Sequence, residues 1–309
     1  MNVDENRLSP SGRTSGLATA SPIYRVVMKA GKTSRDFIRR RPLGGISGIV
    51  IVAMFVVALS APLVCRYDPL VQHSGRILEA PSWEFWLGTD HLGRDIYSRV
   101  VNGARVSVIV GFAAVAIGTS GGALIGLISA FQGGKFDLYV QRLVDAWISF
   151  PGLVLILVLV SLLGPSLFNV AIAIGIGSIP STSRIVRSAV LTTKENEYVL
   201  AALAVGATRI RIIARHILPN VMAPIIIVST VSLGSAILAE SSLSFLGLGV
   251  PPPAPTWGGM LSREGREYMI IQPLLGLWPG LAITTVVMAF NLFGDALRDV
   301  WDPRLRGGH

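Results

Sequence analysis

The run AWISFPGLVLILVLVSLLGPSLFNVAIAIGIGSIPSTS, residues 146–183, holds 38 consecutive positions without an Asp, Glu, Lys or Arg. About 20 apolar residues cross a bilayer and a charge at its centre is expensive, so an interval of this length accommodates two crossings. Gly164-Pro165-Ser166 is a turn signal that ends one helix near Leu163 and starts another near Leu167. Each half is short for a span, so both helices extend into charged sequence. Asp145 then lies near the start of the first, and Arg184 and Arg187 near the end of the second. Working outward, the uncharged intervals 42–65, 106–134, 216–239 and 268–294 contain 24, 29, 24 and 27 residues. The expectation is an all-α integral membrane protein with six transmembrane helices.

The composition of the 309-residue chain agrees, since 51% is apolar and 15% charged, against about 25% charged in soluble domains. The net charge of +9 comes from 27 Lys and Arg against 18 Asp and Glu. The cations cluster between the long uncharged runs instead of forming a soluble patch, which argues for a lipid bilayer as partner and against nucleic acid. With the N-terminus inside, 20 of the 27 cations fall in inner segments and seven in outer ones. Cytoplasmic segments carry that excess, so both termini are expected in the cytoplasm. Cys65 is alone, which excludes an intrachain disulfide framework and a cysteine-rich zinc site. His73, His91, His216 and His309 are too scattered for a metal motif. No metal or cofactor site is therefore expected in this chain.

Arg39-Arg40-Arg41 before an apolar run, with Cys65 after it, has the outline of a cleaved signal. The basic region is about 40 residues long, the run is span-length, and Val64 stands where lipoprotein cleavage needs a small residue, so the segment reads as a retained span. Residues 1–22, rich in Ser, Gly, Thr and Pro, read as a disordered tail. The expected organisation is a cytoplasmic basic tail over 1–42, a first span over 43–65, and an external segment over 66–103. A core with five further spans follows over 104–299, then a cytoplasmic tail over 300–309.

The longest inner loop, 191–220, is the most informative segment outside the spans. Asn196 is placed to cap a short helix, Gly206 to stop it in the left-handed region, and a second, basic helix then runs until Pro219. Ala201 and Ala202 lack bulk, so another protein can approach the first helix closely. Arg209, Arg211 and Arg215 offer fixed positive charge. The shape suits either docking of a soluble partner or lying on anionic headgroups.

Tyr198, Val199, Ala201, Ala202 and Gly206, followed by Arg215-His216-Ile217-Leu218-Pro219-Asn220, resemble the cytoplasmic "EAA" loop of bacterial ABC importer permeases. The likeness is to the second permease subunit of the dipeptide and oligopeptide family. Further motifs resemble that family in order. They are Gly88-Thr89-Asp90, Gly93-Arg94-Asp95, Ser98-Arg99, Gly103-Ala104-Arg105, Asp145 with Pro151, Glu240, and Leu243 to Gly249. Pro252-Pro253, Trp257-Gly258, Pro279-Gly280, Asn291-Leu292, Gly294-Asp295, Leu297-Arg298-Asp299 and Asp302-Pro303-Arg304 complete the series. The chain departs from the family's pattern at Leu200 and Leu203, where Glu and Arg are usual, which makes the docking surface more apolar.

The resemblance implies a type I importer permease fold in a bacterial inner membrane. A second homologous permease would complete the pathway, two cytoplasmic ATPases would bind the inner loops, and an extracytoplasmic binding protein would deliver dipeptides or oligopeptides. Relatives carrying glutathione or nickel keep other small polar solutes open. The implied coupling residues are Tyr198, Ala201, Ala202, Gly206, Arg209, Arg215, His216, Pro219 and Asn220. ATP and Mg would sit on the partner ATPases. Gly31-Lys32-Thr33 is only half of a phosphate-cradling loop, because Val26 stands at the first glycine position, so the chain reads as non-catalytic.

Asp90, Arg94, Asp95 and Arg99 have two readings, an external surface that receives a binding protein, or a helix cap with local ion pairs. Asp145, Glu240 and Asp295 are ionisable groups at or near membrane depth with two readings, a pathway or relay, or, since each lies near a span end, snorkelling, capping or pairing with Arg142 or Arg298. Gly118, Gly122 and Gly126 have GxxxG spacing and are expected to pack within the subunit or against a second permease. Residues 246–257 read as a stiff outer turn with Trp257 at the membrane interface. The rival classes are an integral membrane enzyme, for which no residues cluster catalytically, and a secondary transporter, for which midplane charges and inverted repeats are wanting.

Overall fold

A computed structural model describes residues 41–262 and 266–301. The tail over 1–40, the half-motif at Gly31, and Asp302-Pro303-Arg304 with His309 lie outside the described residues. Within them the chain is helical, with a single isolated bridge between Thr89 and Asp95.

The long helices are α1 (Pro42–Val64), α2 (Ile96–Gln132), α5 (Leu167–Lys194), α8 (Leu218–Phe245) and α10 (Leu274–Trp301). Between them lie α3 (Gly134–Ile148), α4 (Gly152–Leu163), α6 (Glu197–Ala204), α7 (Arg209–Ile212) and α9 (Trp257–Met260), with a 3-10 turn at Tyr268–Ile270. Their starts are written locally. Pro42 begins α1 in the first turn, where its missing N–H costs nothing. The Asp95 carboxylate caps α2, accepting from the Ser98 amide at 2.9 Å and the Ser98 hydroxyl at 2.6 Å. That cap lets α2 start within the segment expected to be external. The Ser166 hydroxyl caps α5 by accepting from the Asn169 amide, and Gly164 (φ +83°) closes α4, so the break falls where the turn signal put it.

Four stretches, α1, α2, Arg209–Phe245 and α10, are long and apolar enough to cross a membrane, and α3 with α4 makes a fifth if that pair, bent by 85°, is one span. Hydropathy alone does not single out α5, because Asn169, the glycines and the Ser-Ile-Pro-Ser-Thr-Ser run over 178–183 dilute its first part and Arg184, Arg187 and Lys194 charge the rest.

α2 and α5 form the centre of the bundle, and glycine makes their approach possible. A Cβ on Gly118 would lie 1.8 Å from Ser178 Oγ, and one on Gly122 would lie 2.6 Å from Thr182 Cβ. One on Gly126 would lie 2.5 Å from the Ser183 carbonyl oxygen. Of the two roles open to this stripe, the first holds, and it packs within the subunit. A large apolar core, including Val110, Ala114, Val160, Val170, Ile174, Ile237 and Phe290, joins the helices, and a smaller one lies at the opposite end of α2 from Asp95.

Three expectations are corrected. The basic helix does not end at Pro219. α7 passes through a π-turn at Ile213–Ile217 directly into α8. Proline lacks an N–H and its ring clashes with the carbonyl four residues back, and the wider π-turn just before it absorbs both problems. Trp257 is not at a lipid interface. It is 2% exposed, lies over Gly103, and donates its indole N–H to the Val100 carbonyl at 2.9 Å. Asp145 pairs with Arg184 at 2.5 Å, not with Arg142, because the bend of α3 lays it across the end of α5.

Candidate partner-docking site

The bundle has two polar ends. At one, the Arg41 guanidinium meets Asp299 at 3.0 Å, tying the start of α1 to the end of α10. The 195–217 loop sits at this same end. The Lys194 ammonium donates to the Phe131 carbonyl at 2.8 Å, which holds the last turn of α5 to the last turn of α2. A cation there also suits the negative ends of both helix dipoles.

In the loop, Asn196 stands at the N-cap of α6, but its side chain turns to the Tyr198 hydroxyl at 3.3 Å and leaves the cap unmade. The stop is a complete Schellman motif. Gly206 takes φ +83°, its N–H bonds to the Leu203 carbonyl at 3.0 Å, and the Ala207 N–H reaches back to the Ala202 carbonyl at 3.0 Å. The Thr208 hydroxyl then caps α7 on the Arg211 amide. The chain reverses without a long linker, and α6 lies against the α7–α8 helix.

Val199, Ile212 and Ile217 are fully buried and rest on Leu127, Ala130, Val186, Val190 and Val221 from α2, α5 and α8. Ala202 and Ala207 are partly buried on the same cluster, so of the two alanines only Ala201 faces outward. The Tyr198 and His216 rings lie 6.3 Å apart, and the Asn220 amide donates to the His216 carbonyl at 2.7 Å, gathering these three at the junction of α6 with the longer helix. Arg209, Arg215 and Pro219 are exposed beside them.

The outward crest of the loop is apolar. Val205 is 89% exposed and Ile210 80%, with Leu200, Leu203 and Tyr198 also exposed and Arg209, Arg211 and Arg215 alongside. Sequence reading singled out the arginines and alanines but passed over Val205 and Ile210. A signal existed, because neither residue fits the buried positions Val199, Ile212 and Ile217. A rigid, solvent-facing apolar crest is what a partner's groove can receive.

At the other end, Asp90 is the hub of a folded segment between α1 and α2. Its Oδ1 accepts from the Leu92 and Arg94 amides, both at 2.9 Å, and its Oδ2 from Arg94 Nε at 2.7 Å, with Arg99 Nε at 3.5 Å. Arg99 also donates to the Pro69 carbonyl at 3.2 Å. Asp90, Asp95 and Arg99 are buried and Arg94 nearly so, so these side chains frame the segment from within. Asp90, Arg94 and Arg99 border a cavity of about 700 Å³ that reaches Ser244, Thr256 and Arg266. His73 donates its amide N–H to the Gly93 carbonyl in this segment, while His91 stacks on Tyr268. Among the described residues no three of His, Cys, Asp and Glu are grouped as metal ligands.

Glu240 is fully buried between α8 and α2, accepting from the Ser244 hydroxyl at 2.8 Å and the Ser107 hydroxyl at 3.5 Å. Serines, not an arginine, hold it. Asp295 is exposed near the end of α10.

Residues 122–307 match the family described as binding-protein-dependent transport system inner membrane component. The chain is 41% identical over 269 residues to the dipeptide transport system permease protein DppC of Alkalihalophilus pseudofirmus, covering 87% of this chain and 88% of that one. It is 42% identical over 270 residues to the di/tripeptide transport system permease protein DppC of Pseudomonas aeruginosa, with 85% and 89% covered. It is 40% identical over 270 residues to the glutathione transport system permease protein GsiD of Escherichia coli, with 87% and 89% covered.

Proposed function

The chain belongs to the family of binding-protein-dependent transport system inner membrane components and is an ABC importer permease subunit, and from that premise we propose how it is placed and driven. It lies in the inner membrane of a bacterium with six spans: α1, α2, the α3–α4 pair, α5, α8 and α10. Both termini and the 195–217 loop are cytoplasmic, in keeping with Arg41 and Asp299 meeting at the loop's end of the bundle. A second, homologous permease completes the pathway. Two cytoplasmic ATPases bind ATP and Mg, and this chain hydrolyses nothing. The substrate is a dipeptide or tripeptide delivered by an external binding protein. The glutathione relative is a specific ground for a second reading, glutathione, which is itself a tripeptide with one unusual linkage.

The observation that carries the mechanism is the apolar crest fused to a continuous helix. The ATPases grip Val205, Ile210, Leu200 and Leu203, with Arg209, Arg211 and Arg215 supplying the charged rim. Because α7, the π-turn and α8 form one 37-residue helix, about 55 Å long, motion of the crest is carried the full depth of the subunit. Closure of the ATPases on nucleotide tilts this lever against the α2–α5 core and exchanges inward-open for outward-open states. At the outer end, the framework around Asp90, Arg94, Asp95 and Arg99 holds the surface that meets the binding protein.

The direct test is a mild-detergent pull-down of the tagged chain with mass spectrometry, joined to uptake of a labelled dipeptide and of glutathione. Recovery of a second permease and ATPases, with ATP-dependent uptake of one solute, is expected. Recovery of the chain alone after gentle crosslinking would overturn the multi-subunit reading.

Gly206→Val provides a finer test. A β-branched residue at φ +83° costs about 1–2 kcal/mol or more of local strain, so the Schellman turn opens and α6 no longer follows the lever. A Cβ there meets nothing within 4 Å, so strain and not collision is the cause. Uptake is expected to fall while ATP hydrolysis by the complex persists, and Gly206→Asn, which tolerates this backbone, is expected to restore much of the uptake. Normal uptake by Gly206→Val would remove the turn from the mechanism.

A further inference from the structure

α3 leaves the axis of α2 through Gly133 and Gly134, both left-handed at φ +67° and +58°, and makes an angle of 85° with α4. Two ion pairs fix it across the end of α5. Arg187 meets Asp137 at 2.6 Å with a second bond from Nε at 2.9 Å, and Arg184 meets Asp145 at 2.5 Å. The Gln141 amide donates to Ser129 Oγ at 3.2 Å on α2. Along α5, the start at Leu167 and the ion-paired Arg184 are separated by 17 residues, about 26 Å of helix rise. That is close to the hydrocarbon thickness of about 30 Å. With the Ser166 turn at the outer boundary, α3 is therefore the inner end of the bent α3–α4 span, with α4 running through the hydrocarbon and α3 turned along the inner boundary.

The sequence of α3 gives it buried, apolar-exposed and cationic stripes, each marked by residues seven apart on one face of the helix, the amphipathic division an interfacial helix uses. Asp137 and Val144 are buried against the protein. Phe136 and Leu143, joined by Tyr139, are exposed at 45%, 73% and 67%. Lys135 and Arg142 are exposed on the remaining side, with Leu138, 54% exposed, flanking them, and among the described residues no carboxylate pairs with either cation. The two acids of α3 are neutralised by α5, so the net field of this surface is that of the two cations.

We propose that α3 is a binding site for anionic phospholipid of the inner leaflet. Lys135 and Arg142 take the headgroup phosphates, and Phe136, Tyr139 and Leu143 lie among the upper acyl chains. The two cations are seven residues, about 10 Å, apart along the axis, which suits two phosphates and not one. This site rests on the cytoplasmic placement of the 195–217 loop proposed above. It lies on the same α2–α5 ends that carry the loop, so bound lipid steadies the base from which the lever is moved.

The test uses the assembled importer in nanodiscs of defined composition, read by native mass spectrometry of retained lipid. Phosphatidylglycerol is expected to be retained over phosphatidylcholine, and K135Q/R142Q to lower that affinity roughly tenfold or more. The charge-preserving K135R/R142K exchange is expected to keep it. Equal retention of both lipids, or equal retention of phosphatidylglycerol by wild type and K135Q/R142Q, would overturn the proposal. Orientation is checked separately by Gln132→Cys, at the exposed end of α2 beside the loop and off the apolar crest, in a Cys65→Ser background. Its labelling by an impermeant maleimide only in inverted vesicles keeps the topology, and labelling in intact spheroplasts would sink the topology reading itself.

Discussion

The double variant Val205→Asp/Ile210→Asp is expected to reach the membrane in normal amount and to lose its ATPase partners. Both side chains are among the most exposed apolar groups of the loop, so neither supports the fold, and the buried cluster of Val199, Ile212 and Ile217 beneath them is untouched. In a docked complex each contributes about 1.5–3 kcal/mol by leaving water. Replacement by carboxylate removes that gain and adds the cost of burying an unpaired charge. Together these exceed about 5 kcal/mol, more than a thousandfold in affinity. Uptake is expected to fall to background and the ATPases to disappear from the pull-down. Arg211→Gln, on the rim, is expected to lower recovery only modestly, because an exposed charge contributes about 1 kcal/mol or less. Undiminished ATPase recovery with the double variant would move the docking surface off the crest.

The architecture was legible where the physical rule is one-dimensional. Runs without charge mark spans because the bilayer taxes charge anywhere in the core, and Gly164-Pro165-Ser166 and Gly206 mark breaks because their backbone preferences act locally. The structure puts helix boundaries at Leu163 and Leu167, and Gly206 at φ +83°. What escaped depends on which way a side chain faces in three dimensions. Gly133 and Gly134 ended an uncharged interval and gave no hint of a helix turning across the bundle. Trp257 satisfies the rule for an interfacial indole, yet Gly103 leaves room for it inside. Pro219 is a helix stop in many contexts, yet here the chain reaches it through a π-turn and the helix continues. The pattern of Asp90, Arg94, Asp95 and Arg99 is the same whether it faces a partner or its own loop. Asp90, Asp95 and Arg99 are buried in the structure, and a charge pattern that straddles the start of α2 could not have told the two apart. The helix-turn-helix shape of the 195–217 loop was legible in outline, but of Ala201 and Ala202 only the first faces outward, since adjacent helical residues diverge by about 100°.

Gly122→Ala is expected to damage the protein more than Gly121→Ala, although the two are neighbours on one helix and gain the same methyl group. At Gly121 the added carbon would lie 3.0 Å from Ile179 Cδ1, the free end of a flexible side chain that can swing aside. At Gly122 it would lie 2.6 Å from Thr182 Cβ and 2.8 Å from the Ile179 carbonyl oxygen, and neither moves unless α5 moves. Gly118 and Gly126 make equally close approaches to α5 on either side, so the helices cannot tilt locally to relieve the strain. Overpacking of this kind costs about 1–3 kcal/mol, at the upper end when backbone must yield. The consequence is functional as well as structural, because the displaced end of α5 carries Arg184 and Arg187, which hold α3, and Lys194, which holds the base of the loop. Gly122→Ala is therefore expected to lower the thermal midpoint in detergent by several degrees and to reduce uptake per folded molecule, whereas Gly121→Ala stays near wild type in both. Equal losses from the two substitutions would mean that α2 and α5 do not meet along this stripe, and that the glycines serve some other surface.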